Sequence, residues 1–182
     1  MNLHILTARY LLKLGKFLQS LPVVVMKPDD LIEFSRQTYA QPDDVDSWAE
    51  DSLVDSGLST DEQALIDALP KQEGKLVLLG VGGGREAIPL SQMGFQVTGV
   101  DFVKAMVDRA QQNASKRGET IAGLVQEISQ LTLPPESYDV VWISRAMYSS
   151  VPTRKRRVAM LHTIANALKP GGHLICQYLQ DP

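Results

Sequence analysis

The sequence predicts an α/β fold: a parallel sheet with helices packed on both faces. Three observations predict it. Short apolar runs such as Leu76–Leu79 and Val140–Ile143 do not alternate with polar residues, as expected of strands buried on both sides. Stretches of helical period separate them. Glycine and proline punctuate the junctions, at Gly80–Gly84, Gly94, Gly118 and Pro170–Gly172.

The chain opens with a predicted helix over residues 3–21. Leu3, Leu6, Tyr10, Leu14, Phe17 and Leu21 fall on one side, and Arg9, Lys13 and Lys16 on the other. Pro22 is expected to stop it. Val23–Met26 then reads as an edge strand or an extended connector. Asp29 or Asp30 caps a second helix that runs through Tyr39. Residues 41–47 read as a polar acidic loop, and Trp48–Asp55 as one or two helical turns. Ser59 and Glu62 have capping-box spacing and open a helix that ends at Pro70. The organisation is one domain over residues 1–182, with residues 1–70 as a helical extension and 71–182 as the α/β core.

In the core, Leu76–Leu79 is the first strand. Arg85–Met93 is a short helix, and Phe95–Val100 the second strand, with Asp101 at its C-terminal end. Residues 102–117 form a helix closed by Gly118, and Ile121–Val125 a third strand. A loop over 126–136 leads to the fourth strand, Tyr138–Ile143. Residues 153–168 have Val158, Leu161, Ile164, Ala165 and Leu168 at helical spacing. Lys169–Gly172 stops that helix, and His173–Tyr178 is the fifth strand.

Composition bounds the function. The 182 residues carry 18 Lys and Arg against 21 Asp and Glu, a net charge of −3, which gives no general attraction to nucleic acid. Cys176 is the single cysteine, so no disulfide framework forms and a cytoplasmic location is expected. The histidines, His4, His162 and His173, are scattered and suggest no metal site. No apolar run approaches the roughly 18 residues of a membrane span. The basic, amphipathic segment 3–21 has three readings: contact with a membrane surface, a lid over the site, or an ordinary packed helix with a solvated basic face.

The glycine cluster carries the chemistry. A strand that ends in glycines and leads into a helix lets a ligand approach the backbone and offers it free N–H groups. A carboxylate at the tip of the next strand, here Asp101, can accept both hydroxyl hydrogens of a ribose. Read from Gly82, the dinucleotide pattern G-x-G-x-x-G/A is met by Gly82, Gly84 and Ala87. Read from Gly80, G-x-G-x-G is met by Gly80, Gly82 and Gly84. The glycines alone leave both readings open.

Four ordered stretches separate them: Val77–Gly84, Val97–Asp101, Pro135–Val141 with its Ser-Tyr-Asp-Val-Val, and Leu168–Ile175 with its Leu-Lys-Pro-Gly-Gly. Together, over about residues 60–178, they resemble the class I S-adenosylmethionine-dependent methyltransferases. The resemblance implies a Rossmann-like sheet of strand order 3-2-1-4-5. It also implies S-adenosylmethionine as cofactor and methyl transfer to a small-molecule acceptor. A noncatalytic domain binding the same cofactor, or an NAD-dependent oxidoreductase, is the alternative.

By the same resemblance, Gly80, Val81, Gly82 and Gly84 line the methionine end of the cofactor, and Asp101 binds the ribose. Phe102 lies on the adenine, while Glu127 and Ile128 meet its edge. Ser144 brings its backbone near the methionine part. Arg36 and Tyr39 lie on a covering helix, with Arg36 suited to the methionine carboxylate. The competing readings are a helix cap for Asp101, a core side chain for Phe102, a surface charge for Glu127 and structural roles for Arg36 and Tyr39. Trp48 is expected to pack near the glycine loop.

Arg145 and Tyr148 follow the fourth strand at the sheet's carboxyl edge and are candidates to face substrate. No catalytic residue is assigned, because a methyl on sulfonium is already activated and alignment suffices. The run Arg154–Arg157 opens a helix, where the dipole disfavours cations; it suits an acidic partner or a solvated face. Two departures from the family pattern stand out. By the resemblance, Leu79 stands where an acid commonly helps to hold the methionine amino group, so either another group substitutes or the cofactor binds more weakly. The given sequence also stops at Pro182, just past the fifth strand, where the family sheet usually continues into an antiparallel pair of strands.

Overall fold

The computed structural model describes residues 3–177. The chain forms two compact units, Met1–Ser35 and Arg36–Pro182. In the first, α1 spans Leu3–Val25, and α2 starts at Pro28 and runs to Tyr39 across the boundary. Pro22 does not stop α1, and Val23–Val25 is helical rather than extended. An internal proline removes one helical hydrogen bond, at a cost of about 3 kcal/mol, but it does not forbid the turns beyond it. The side chains of Leu3, Lys16 and Phe17 lie outside the described ones. Tyr10, Leu14 and Leu21 of the predicted apolar side are exposed. At the start of α2, Asp30 accepts from the Lys27 N–H (3.3 Å), so Lys27 holds the position before the helix and both aspartates sit in its first turn. Among the described residues no helix is long and apolar enough to cross a membrane.

The second unit begins with three short helices, α3 (Pro42–Trp48), α4 (Asp51–Val54) and α5 (Thr60–Asp67). The expected loop at 41–47 is therefore a correction. Pro42 takes the first helical position, Asp43 and Asp44 fill the first turn, and buried Val45 anchors it against Val103 and Met106. The capping box of α5 forms as expected. The Glu62 N–H donates to Ser59 Oγ (3.3 Å), and the Ser59 N–H donates to Glu62 Oε2 (2.7 Å).

The sheet follows in the order β3-β2-β1-β4-β5, all parallel, as the resemblance implied. Its strands are β1 (Gly74–Leu79), β2 (Phe95–Asp101), β3 (Ala122–Val125), β4 (Tyr138–Ile143) and β5 (Leu168–Cys176). The helices α6 (Ala87–Gln92), α7 (Lys104–Lys116), α8 (Met147–Ser150) and α9 (Arg154–Ala167) connect them. α8 has no counterpart in the sequence reading. α9 ends at Ala167, one residue short of the expected end, and Leu168 and the Lys-Pro-Gly-Gly segment fall within β5 rather than before it. β5 pairs once at Leu168, slips, and pairs regularly from His173 to Cys176. The expected end of that strand, Tyr178, lies outside the described residues.

Alternate residues of β1 serve opposite layers. Leu76 and Leu78 join Ile66, Leu90, Ala110 and Trp142 on one face. Val77 and Leu79 join Val100, Ile143, Met160 and Ile164 on the other. Leu76, Val77, Leu78 and Leu79 are all fully buried. This two-sided burial explains the unbroken apolar runs. It also fixes the carboxyl ends of β1, β2 and β4 side by side, where the candidate site lies.

Candidate functional site

Three connections meet at the carboxyl edge of the sheet: Gly80–Glu86 after β1, Phe102–Val103 after β2 and Ser144–Ala146 after β4. The glycine loop is fastened first. The N–H groups of Gly80 and Val81 both donate to the Val100 carbonyl (2.8 and 3.0 Å). The Gly82 N–H donates to Asp101 Oδ2 (3.2 Å), and Asp101 Oδ1 accepts from the Val103 N–H (3.0 Å). Asp101 is thus tied both to the loop and to the start of α7. Burial pushes its carboxyl pKa up, and hydrogen bonds from Val103, Gly82 and Phe102 only partly offset this.

The glycines face different surroundings. Gly82 has φ +50°, and a Cβ there would meet no atom within 4 Å. Gly80, at φ +89°, is covered by the flexible Met147 side chain, with Ser144 Cβ 3.6 Å from the Cβ position. A side chain at Gly83 would strike the Trp48 carbonyl, so Trp48 meets the loop through its backbone and leaves its indole half-exposed. Gly84 packs on Ala110 of α7. Among the loop glycines Gly80, Gly82, Gly83 and Gly84, then, Gly82 is the one with open space above it.

Arg36, Tyr39 and Phe102 come together. The Arg36 guanidinium lies 5.8 Å from the centre of the Phe102 ring, and the Tyr39 ring centre lies 6.5 Å from it at a tilt of 53°. Phe102 is partly buried against the small core of Val45, Val103 and Met106. Glu127 caps the 3-10 turn Ile128–Gln130, accepting from the Ser129 N–H (2.9 Å) and from the Ser129 hydroxyl. The Ile128 side chain belongs to the core with Leu79 and Val100, which leaves its backbone for any ligand contact. Arg145 is exposed, and the Arg157 guanidinium lies 5.8 Å from the Tyr148 ring centre.

A buried ionic network lies beneath the loop, and sequence reasoning did not find it. Arg85 donates to both Glu62 oxygens (2.8 Å each) and to the Gly57 carbonyl (2.7 Å). Its Nη2 also donates to Glu86 Oε1 (2.6 Å), which accepts a second bond from Ser144 Oγ (2.8 Å). Burial favours the neutral Glu62 carboxyl, but the Arg85 and Ser59 hydrogen bonds and the Arg85 charge outweigh it and hold the pKa at about 2. Burial dominates at Glu86 and pushes its carboxyl up, against the Arg85 charge and the Ser144 bond. Glu62 and Arg85 stand 23 residues apart, so no local pattern links them. An acid at a helix start, as at Glu86, ordinarily reads as a response to the helix dipole.

Among the described residues no group of three or more His, Cys, Asp or Glu could hold a metal ion. A shallow hollow of about 420 Å³ opens at the opposite edge of the sheet, lined by Lys75, Phe95, Gln96, Thr120 and Tyr138. It contains none of the residues assigned above.

Comparison with known proteins agrees with this arrangement. A family model described as a methyltransferase domain matches residues 77–172, just over half of the chain. The ubiquinone biosynthesis O-methyltransferase of Coxiella burnetii is 33% identical over 103 residues, covering 56% of this chain and 42% of that protein. The chain thus spans less than half the length of the curated relative. An S-adenosylmethionine-dependent methyltransferase of Mesorhizobium loti is 29% identical, with a TM-score of 0.56 over 68% of this chain and 53% of that one. Phosphoethanolamine N-methyltransferase 1 of Haemonchus contortus was solved with phosphoethanolamine and S-adenosylhomocysteine. It shares the fold, with a TM-score of 0.63 at 18% identity over 81% of this chain and 31% of that one. From the family match, the sheet order and the glycine loop beside Asp101, the chain belongs to the class I S-adenosylmethionine-dependent methyltransferase family.

Proposed function

We propose that this chain binds S-adenosylmethionine at the carboxyl edge of its sheet and transfers the methyl group to a small-molecule acceptor. The observation that carries the proposal is Gly82. Its backbone turns through positive φ, the space above it is open, and its N–H is bonded to the carboxylate at the end of β2. A ligand that joins a ribose to an extended polar chain fits such a cradle. One end rests over the loop, and the diol meets Asp101, whose two oxygens each retain a lone pair for a hydroxyl.

In this reading Gly80, Val81, Gly82 and Gly84 form the floor under the methionine end, with Met147 shifting away from Gly80. Phe102, Glu127 and Ile128 border the adenine, and the Ser144 backbone borders the methionine part. Arg36 faces the carboxylate and Tyr39 covers the nucleoside side. Arg145 and Tyr148 face the acceptor. Bound S-adenosylmethionine supplies a methyl on a positively charged sulfur, with a good leaving group already in place. The chain has to hold the acceptor in line with that methyl and keep water out, which does not require a general base.

The test is calorimetric titration of the protein with S-adenosylmethionine, S-adenosylhomocysteine and NAD in parallel. Micromolar binding of the first two, lost in Asp101→Ala, supports the proposal. Binding of NAD alone would overturn it.

A further inference from the structure

Strand β1 supplies no acid to the site, since Leu76, Val77, Leu78 and Leu79 are all buried and apolar. The loop that follows it, together with Glu62 of α5, brings two carboxylates and one guanidinium into contact. Arg85 is matched fork to fork by Glu62, through two bonds of 2.8 Å. Glu86 is then the surplus negative charge, and its residue is 6% exposed. The two side chains that donate to it, Arg85 Nη2 and Ser144 Oγ, fall on the same oxygen, Oε1. A buried anion beyond the reach of water is costly unless a cation balances it. Glu86 is also near the ligand floor: its partner Ser144 has its Cβ 3.6 Å from the Cβ position of Gly80.

We infer that Glu86 is the anion that receives the ammonium group at the amino-acid end of the cofactor, in place of an acid on β1. The inference rests on the proposed function. Glu86 is a positioning residue for the cofactor. It holds one end of the molecule and takes no part in the chemical step.

A dependence on pH follows. The charged groups that face Glu86 are Arg85, next to it in the loop, and Glu62, from α5; the Ser144 hydroxyl approaches from the end of β4. Burial raises the Glu86 pKa. An arriving ammonium favours the ionised form, so affinity for a ligand carrying one grows as pH rises through that pKa.

The experiment compares two ligands that share the adenine, ribose and sulfur. S-adenosylhomocysteine carries the ammonium, and 5′-methylthioadenosine lacks the amino-acid end. Because both contact Asp101 and present the same adenine, the ratio of their affinities isolates the amino-acid end. Calorimetric titration of wild type at neutral pH is expected to favour S-adenosylhomocysteine by tenfold or more. In Glu86→Gln that margin falls several-fold, the remainder being held by the contacts assigned to Arg36 and the glycine loop, with 5′-methylthioadenosine binding unchanged. A margin that is unchanged in Glu86→Gln would overturn the inference. If that variant does not fold, the wild-type protein decides. The margin is expected to shrink as pH falls from 8 toward 4, and a flat margin would overturn the inference. Wild type that binds neither ligand would refute the cofactor proposal itself, whereas binding of both with a margin unchanged by the substitution would refute the role of Glu86 alone.

Discussion

Alanine at Gly82 and alanine at Gly83 are adjacent changes of one methyl group each, and the structure assigns them opposite consequences. At Gly82 the new Cβ meets no protein atom within 4 Å, so the cost to folding is the positive φ of +50° alone. Left-handed backbone costs a non-glycine residue about 1–2 kcal/mol. For a chain of this size that lowers Tm by about 2–8 °C. The same methyl enters the space assigned to the ligand, so S-adenosylhomocysteine affinity is expected to fall at least tenfold, about 1.4 kcal/mol or more. At Gly83 the methyl runs into the backbone of Trp48 and Ala49. Those atoms cannot swing aside as a side chain would, and overpacking of this kind costs about 1–3 kcal/mol or more. Gly83→Ala should therefore lose more thermal stability than a simple contact change. At temperatures where it is folded, it should keep more of its ligand affinity than Gly82→Ala. Thermal denaturation and calorimetric titration of both variants make the comparison. A folded Gly82→Ala that binds S-adenosylhomocysteine within twofold of wild type would refute the assignment of the space above that glycine.

Other expected outcomes follow from single contacts. Asp101→Asn should remain folded yet bind S-adenosylhomocysteine at least tenfold more weakly by titration, because an amide offers one accepting oxygen where the carboxylate offers two. Glu62 has its pKa lowered from 4.5 to about 2 in the folded protein. Its contribution to stability is complete above pH 4.5 and is lost as pH falls toward 2. Denaturant unfolding across that range should show the loss, and Glu62→Gln should remove that part of the slope. Ser59→Ala deletes the cap of α5 and should cost about 1 kcal/mol in chemical denaturation. Trp142 is fully buried in the sheet, so Trp142→Ala should cost about 3–5 kcal/mol and leave the protein close to unfolding.

The core was legible because its signals are local. The buried stretches Leu76–Leu79 of β1 and Val140–Ile143 of β4 are apolar throughout, and the segments after β1 and α9 are written in glycine and proline. The capping box of Ser59 and Glu62 was legible for the same reason, since its bonds span three residues. The segment at 41–47 was misread because its polarity resembles a loop. Its helix rests on Pro42 at the first position and on Val45, whose burial comes from Val103 and Met106 far along the chain. Pro22 was given too much weight, since a helix can bear the loss of one bond. In the site, the loop and Asp101 could be read because neighbouring residues make them. The clamp of Glu62, Arg85 and Glu86 could not, because it joins α5 to the loop across the fold. Glu127 likewise shows in sequence only as an acidic loop residue, although its carboxylate caps the turn behind it.

The order of the sheet also bears on how the chain is made. β1 lies at the centre, yet one of its two neighbours, β4, comes about 64 residues later, as the pairing of Leu76 with Val140 records. At about 5–20 residues per second, a ribosome needs roughly 3–13 s to deliver that partner. Once β2 has followed, as the pairing of Leu76 with Val97 records, it can satisfy one side of β1, while the other side keeps unpaired N–H and carbonyl groups and the apolar side chains beside them lack part of their cover. The nascent protein is therefore most prone to aggregate after β2 has emerged and before β4 arrives. Chaperone demand during synthesis should peak in that window and fall once Tyr138–Ile143 has left the exit tunnel.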